Sequence, residues 1–223
     1  MSDRPASRSR DVLLLVLAVA TGATDATAFE RLGHVFASVI TGNLIVLGVS
    51  AVRWDGASVM VAAVALVAYA LGVLVAAPRG SRDGALWPAG ATLALTLELG
   101  LLLGFAVGWE IVDGRPGQGM RAVLLALAAG AMGTQSTAVR RLGGLSTTYL
   151  TGTLTGMLEA LAGRRWSAEE SRDLGIIVTV LGGAAAGTAL VLYAPSTLPA
   201  LQLGPIAVVI VASRQLAGRY PPG

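Results

Sequence analysis

The stretch Ala23-Thr24-Asp25-Ala26-Thr27-Ala28-Phe29-Glu30-Arg31-Leu32-Gly33, followed after seven residues by Thr41-Gly42-Asn43-Leu44, has a second copy in this chain. That copy is Gly133-Thr134-Gln135-Ser136-Thr137-Ala138-Val139-Arg140-Arg141-Leu142-Gly143, followed again after seven by Thr151-Gly152-Thr153-Leu154. The offset is 110 residues throughout, and upstream Leu14, Leu15, Leu17 and Ala18 coincide with Leu124, Leu125, Leu127 and Ala128. An Ala/Leu/Gly-rich chain produces scattered matches by composition. It does not produce Arg-Leu-Gly followed by Thr-Gly at one spacing. A fixed period of this kind implies an internal duplication.

Composition sets the medium in which the copies fold. Of 223 residues, 54% are hydrophobic and only 13% charged, against about 25% charged in an ordinary soluble domain. The mean hydropathy is +0.71, and several apolar runs approach the roughly 20 residues that cross a bilayer. The reading is an all-α, polytopic transmembrane helical bundle with the lipid bilayer as its first partner. The sequence pI of 9.9 reflects arginine in the loops and gives no reason to expect nucleic acid. With no cysteine and one histidine, thiol chemistry, a metal centre and a cofactor are not expected.

About eight membrane segments can be drawn, at 11–29, 35–53, 57–77, 89–109, 121–138, 146–163, 174–194 and 198–213, as two tandem homologous repeats. The divisions are a cytoplasmic tail at 1–10, a first repeat at 11–112, a linker at 113–120, a second repeat at 121–213 and a tail at 214–223. The basic start followed by the apolar run Val12 to Ala20 has the form of a secretory leader. Because an equivalent run recurs at 122–130, it reads as a retained helix. The connections near 30–34 and 140–145 are short enough for helical hairpins. Gly204-Pro205 weakens the last segment by removing a backbone donor.

Eight crossings from an internal N-terminus put Arg4, Arg8, Arg10, Arg53, Arg115, Arg121, Arg164, Arg165, Arg172, Arg214 and Arg219 inside. Arg31, Arg79, Arg82, Arg140 and Arg141 fall outside. The excess inside points to cytoplasmic termini. Four spans per repeat relate the halves as parallel copies. A re-entrant segment in each half would invert them.

Polar side chains inside a bilayer face protein or water, and ionisable ones are functional candidates by default. Asp25, Thr41, Asn43, Gln135, Thr151 and Thr153 form the candidate substrate-binding set, as a polar layer shared by the two hairpins. Glu98, in the apolar run Leu93 to Gly100, is a candidate proton-coupling group, and Asp25 is a second. Arg31, Arg140 and Arg141 read either as an outer vestibule for anions or as helix C-caps, with Gly33 and Gly143 completing the caps. The plainer reading of the polar layer is hydrogen bonding that fastens helices together. Gly100-x-x-x-Gly104-x-x-x-Gly108, Gly152-x-x-x-Gly156 and Gly183-x-x-x-Gly187 offer close helix packing within the bundle, or in a homodimer. Trp54, Trp109 and Trp166 stand at segment ends, as an interfacial belt requires.

Asp-Ala-x-x-Phe with Arg-Leu-Gly, then Val-Phe-x-x-x-x-Thr-Gly-Asn at 35–43, resembles a known pattern. So do Ala-Val-Arg-Arg-Leu-Gly-Gly and Ser-Thr-Thr-Tyr-Leu-Thr-Gly-Thr-Leu-Thr at 138–155. The chain is similar to the YoaK-type family of bacterial multi-pass membrane proteins of unknown function. The likeness covers nearly the whole chain; it implies architecture and location and supplies no substrate.

Two functions follow from the residues themselves. One is a transporter or channel for an unknown small solute, with its site between the repeated hairpins and proton coupling through Asp25 or Glu98. The other is a non-transporting membrane protein (lipid-binding, scaffold or assembly factor) whose polar motifs only pack helices. No Ser/His, Cys/His or metal-ligand pairing suggests an enzyme.

Overall fold

The computed structural model describes residues 4–77, 88–142 and 150–219. These form eight α-helices: α1 (Arg4–Arg31), α2 (Ile40–Val52), α3 (Gly56–Ala76), α4 (Ala89–Ile111), α5 (Gln118–Arg141), α6 (Leu150–Ala162), α7 (Ala168–Tyr193) and α8 (Leu198–Arg219), with a 3₁₀ turn at Pro195–Thr197. No strand occurs among the described residues. The all-α polytopic bundle is thus as expected. Arg79, Arg82, Gly143 and the start of the 146–163 segment lie outside the described residues.

Six helices are long and apolar enough to cross a membrane: α1, α3, α4, α5, α7 and α8. The other two, α2 and α6, have 13 residues each. At about 1.5 Å per residue that is roughly 20 Å, short of a hydrocarbon core near 30 Å.

Contacts between helix ends set the directions. On α7, Gly183 lies against the Val19 backbone of α1 and Gly187 against Ala23, so α1 and α7 run parallel. At their far ends Arg31 Nη2 donates to the Val191 carbonyl at 3.3 Å. Trp109, at the end of α4, donates its indole N–H to the Pro195 carbonyl at 2.8 Å. Hence α1, α4 and α7 all finish at one end of the bundle, the Arg31 end. The Arg141 guanidinium lies over Gly90 at the start of α4, so α5 finishes at the opposite end. Gly33, just past α1, touches Val61 near the start of α3. α3 therefore begins at the Arg31 end, where α1 stopped.

These directions change the expected topology. The stretch 32–55 leaves and re-enters the same end, and α6 lies between an α5 that ends and an α7 that begins at the Arg141 end. The segments expected at 35–53 and 146–163 therefore do not carry the chain from one end of the bundle to the other, and each joins helices at a single end. With three membrane-length helices before 113 and three after it, α1 and α5, α3 and α7, and α4 and α8 run antiparallel, where the two expected repeats of four crossings would have made them parallel. Partners exchange in step: α1 packs on α7 and α8, while α5 packs on α3 and α4.

Small residues make the tightest seams, Gly72 and Gly133 between α3 and α5 and Gly183 and Gly187 between α1 and α7. Around them pack Leu17, Leu95, Leu102, Leu124, Leu125 and Met132, all buried. Trp109 also departs from expectation. It is fully buried and stacked on Phe105 with centroids 5.7 Å apart, because Pro195 gives its N–H an internal partner. Trp54, 93% exposed, and Trp166, 43% exposed, remain at the surface. Pro205 sits inside a continuous α8; the helix tolerates the lost donor, as membrane helices do when packed on neighbours.

Candidate functional site

The turn after α1 is built around Gly33, whose φ of 121° sends the chain back into the bundle instead of closing a tight hairpin. Residues 34–39 descend beside α1 until Ser38 meets Asp25. The Asp25 carboxylate accepts the Ser38 N–H at 2.7 Å and the Ser38 hydroxyl at 2.6 Å. Asn43, fully buried on the first turn of α2, closes the other side. Its Oδ1 accepts the Phe36 N–H at 2.9 Å and its Nδ2 donates to the Phe36 carbonyl at 2.6 Å. An irregular segment at membrane depth needs its backbone groups satisfied by protein. Asp25 and Asn43 do this from either side.

Gln135 stands apart from that cluster. It is 4% exposed on α5 and joins three helices. The Thr21 hydroxyl of α1 donates to its Oε1 at 2.6 Å, and its Nε2 donates to Glu98 Oε1 of α4 at 2.8 Å. The Leu17 carbonyl, 3.2 Å from the Thr21 hydroxyl, is an alternative acceptor. Glu98 is fully buried, and its Oε2 has no hydrogen-bond partner. The structure thus connects two sequence candidates, Gln135 and Glu98, that had been placed in separate roles.

The rest of the expected set divides. Thr153 is buried on α6, whereas Thr41 and Thr151 are exposed and belong to neither cluster. Arg31 and Arg141 lie at opposite ends of the bundle, so Arg31, Arg140 and Arg141 do not form one outer vestibule. Arg31 instead binds a carbonyl in the last turn of α7, as a C-capping arginine does. Its own helix ends before Gly33, as the capping alternative required.

Two cavities flank the re-entrant elements. One of about 320 Å³ lies between α1, α7 and the descending loop, lined by Asp25, Phe29, Glu30, Phe36, Val180 and Thr188 among others. The other, about 430 Å³, lies between α6 and the start of α7 near Thr153, Met157, Glu169, Glu170 and Asp173. There Arg172 already pairs with Asp173 at 3.1 Å and Glu169 at 3.7 Å. No three His, Asp or Glu side chains gather as metal ligands would among the described residues.

Three buried polar residues escaped sequence reading. Ser38 and Thr21 are ordinary hydroxyl residues with no spacing to mark them. Gln202, buried on α8 with both side-chain polar atoms unpartnered, lies beyond the duplicated motif.

Comparison with known proteins bears on the family and on the membrane location. The family described as "Protein of unknown function (DUF1275)" matches residues 13–213. The UPF0700 transmembrane protein YoaK of Bacillus subtilis (strain 168) is 35% identical over 162 residues, covering 71% of this chain and 70% of that protein. No solved structure matches. With six membrane-length helices and a transmembrane relative, the chain is a multi-pass membrane protein, and it belongs to the DUF1275 family of YoaK-type proteins.

Proposed function

We propose that the protein is a small-solute transporter or channel made of two duplicated halves in inverted orientation. The observation that carries this reading is the pair of 13-residue helices joined at opposite ends of the bundle, with a bonded polar centre of Thr21, Gln135 and Glu98 inside it. Inverted repeats with broken membrane elements and mid-membrane polar sites are a recurrent transporter plan. The exchange of helix partners under the 110-residue shift supports the duplication. Solute would reach the Asp25 cavity from the Arg31 end. Glu98, with one oxygen bonded to Gln135 and one free, is the proton-binding candidate at the centre.

Arginine placement supports an orientation with both termini in the cytoplasm of a bacterial cell, in its inner membrane. Among the described residues Arg4, Arg8, Arg10, Arg140, Arg141, Arg164, Arg165, Arg172, Arg214 and Arg219 belong to the Arg141 end. Only Arg31, Arg53, Arg115 and Arg121 belong to the other. Ten against four is an excess on the side of the termini, in the sense of the positive-inside rule. The reading assigns no catalytic step to any residue.

The second reading, a non-transporting protein whose polar motifs pack helices, draws on one observation. The bonds of Asp25 and Asn43 run to Phe36, Ala37 and Ser38 of one loop. Reconstitution into proteoliposomes separates the two. A transporter gives uptake of at least one class among amines, amino acids, organic acids, sugars and inorganic ions, altered by Glu98→Gln. Absence of flux for every class would favour packing alone.

A further inference from the structure

We propose that the cavity beside Asp25 binds a small organic cation, an ammonium group carried on an apolar body. The proposal rests on the transport reading in taking this cavity for the solute site, and it adds the class of solute. Charge comes first. The lining contains two acidic side chains, Asp25 and Glu30, and no basic one. Among the described residues neither acid forms an ion pair. Asp25 is only 9% exposed, and a buried carboxylate without a cation is costly. Ser38 supplies two donors to Asp25 and the Ala37 N–H a third, whereas an ionised carboxylate can accept about four hydrogen bonds. The remaining capacity suits an ammonium group.

The rest of the lining selects an organic cation over a metal ion. Phe29 and Phe36 both line the cavity, and their rings stack with centroids 5.4 Å apart. Aromatic faces attract ammonium groups and give apolar surface to the carbon skeleton. Calcium asks for about six to eight oxygen ligands. Beside the two carboxylates only the Thr188 hydroxyl adds a side-chain oxygen, and Val39, Val180 and Ala184 are apolar. The volume, about 320 Å³, is at the small end of the range for organic ligands.

The test uses the full-length protein in lipid nanodiscs and three probes sharing a phenyl body: phenethylammonium, 2-phenylethanol and phenylacetate. The expected result is a saturable rise in Tm with the cation and none with the alcohol or the anion. Asp25→Asn should weaken cation binding about tenfold or more. Since Asp25 also holds Ser38, the exposed Glu30→Gln is the companion variant, expected to weaken binding without disturbing the loop. Equal stabilisation by all three probes, no stabilisation by the cation, or an unchanged affinity in both variants would overturn the proposal. Flux of a neutral or anionic solute without cation binding would also overturn it, while leaving transport standing. Cation binding without flux would uphold the site and remove the transport reading.

Discussion

Asn43 shows how one side chain can hold an irregular segment inside a membrane. Its amide satisfies both backbone groups of Phe36, and truncation leaves a buried donor and acceptor unpaired at about 1–3 kcal/mol each. Asn43→Ala should therefore destabilise the protein by roughly 2–4 kcal/mol, read as a lowered unfolding midpoint in detergent; a loss near zero would show that the loop is held elsewhere. Glu98→Gln tests a different property. Glutamine keeps an acceptor for Gln135 Nε2 and removes the titratable group, so stability should hold while any pH dependence of flux disappears. At the surface, the Ser58 hydroxyl and N–H hold the Asp55 carboxyl below its ordinary value of 3.8. A lowered folded-state pKa contributes stability that is complete above the unfolded value and lost as pH falls through the folded one. The Tm difference between the parent and Asp55→Ala should hence be constant above about pH 5 and vanish only in strong acid.

At the scale of the helices, glycines that look alike in the sequence divide sharply. A Cβ on Gly183 or Gly187 would strike the α1 backbone at Val19 or Ala23, which no rotamer change can relieve. Gly152 and Gly156 have nothing within 4 Å of that position. Gly183→Val should abolish folded monodisperse protein, and Gly152→Ala with Gly156→Ala should leave its size-exclusion profile unchanged. Spacing alone marked both pairs as packing motifs, because it records the face and not what faces it. Helix existence was far more legible. The segments read from hydropathy coincide with all eight helices, since apolar runs in a chain of this composition have few other ways to satisfy their backbones. Whether α2 crosses was not legible: its residues are as apolar as a spanning helix, and the missing length is taken up by the loop that Asp25 holds.

For the molecule as a whole, the two topologies make opposite forecasts at two arginines. Eight crossings place Arg53 and Arg164 on the same side of the membrane. The re-entrant fold puts Arg53 at the Arg31 end and Arg164 at the Arg141 end. The chain has no cysteine, so Arg53→Cys and Arg164→Cys each provide a single thiol. An impermeant maleimide applied to intact cells should label Arg53→Cys and spare Arg164→Cys; labelling of both, or neither, would reject the inverted arrangement.

Medium, helix content, the register of the repeated motif and the list of polar candidates were all readable without coordinates. Hydropathy and a 110-residue register are properties of the chain itself. The directions of the helices were not, because they depend on which ends touch: Arg31 with Val191, Trp109 with Pro195, Gly33 with Val61. The same contacts sorted the candidates, leaving Asp25 and Asn43 on the descending loop, bringing Gln135 to Glu98, and separating Arg31 from Arg141. Such pairings join residues far apart in sequence through packing, and only the folded molecule supplies the distances that decide them.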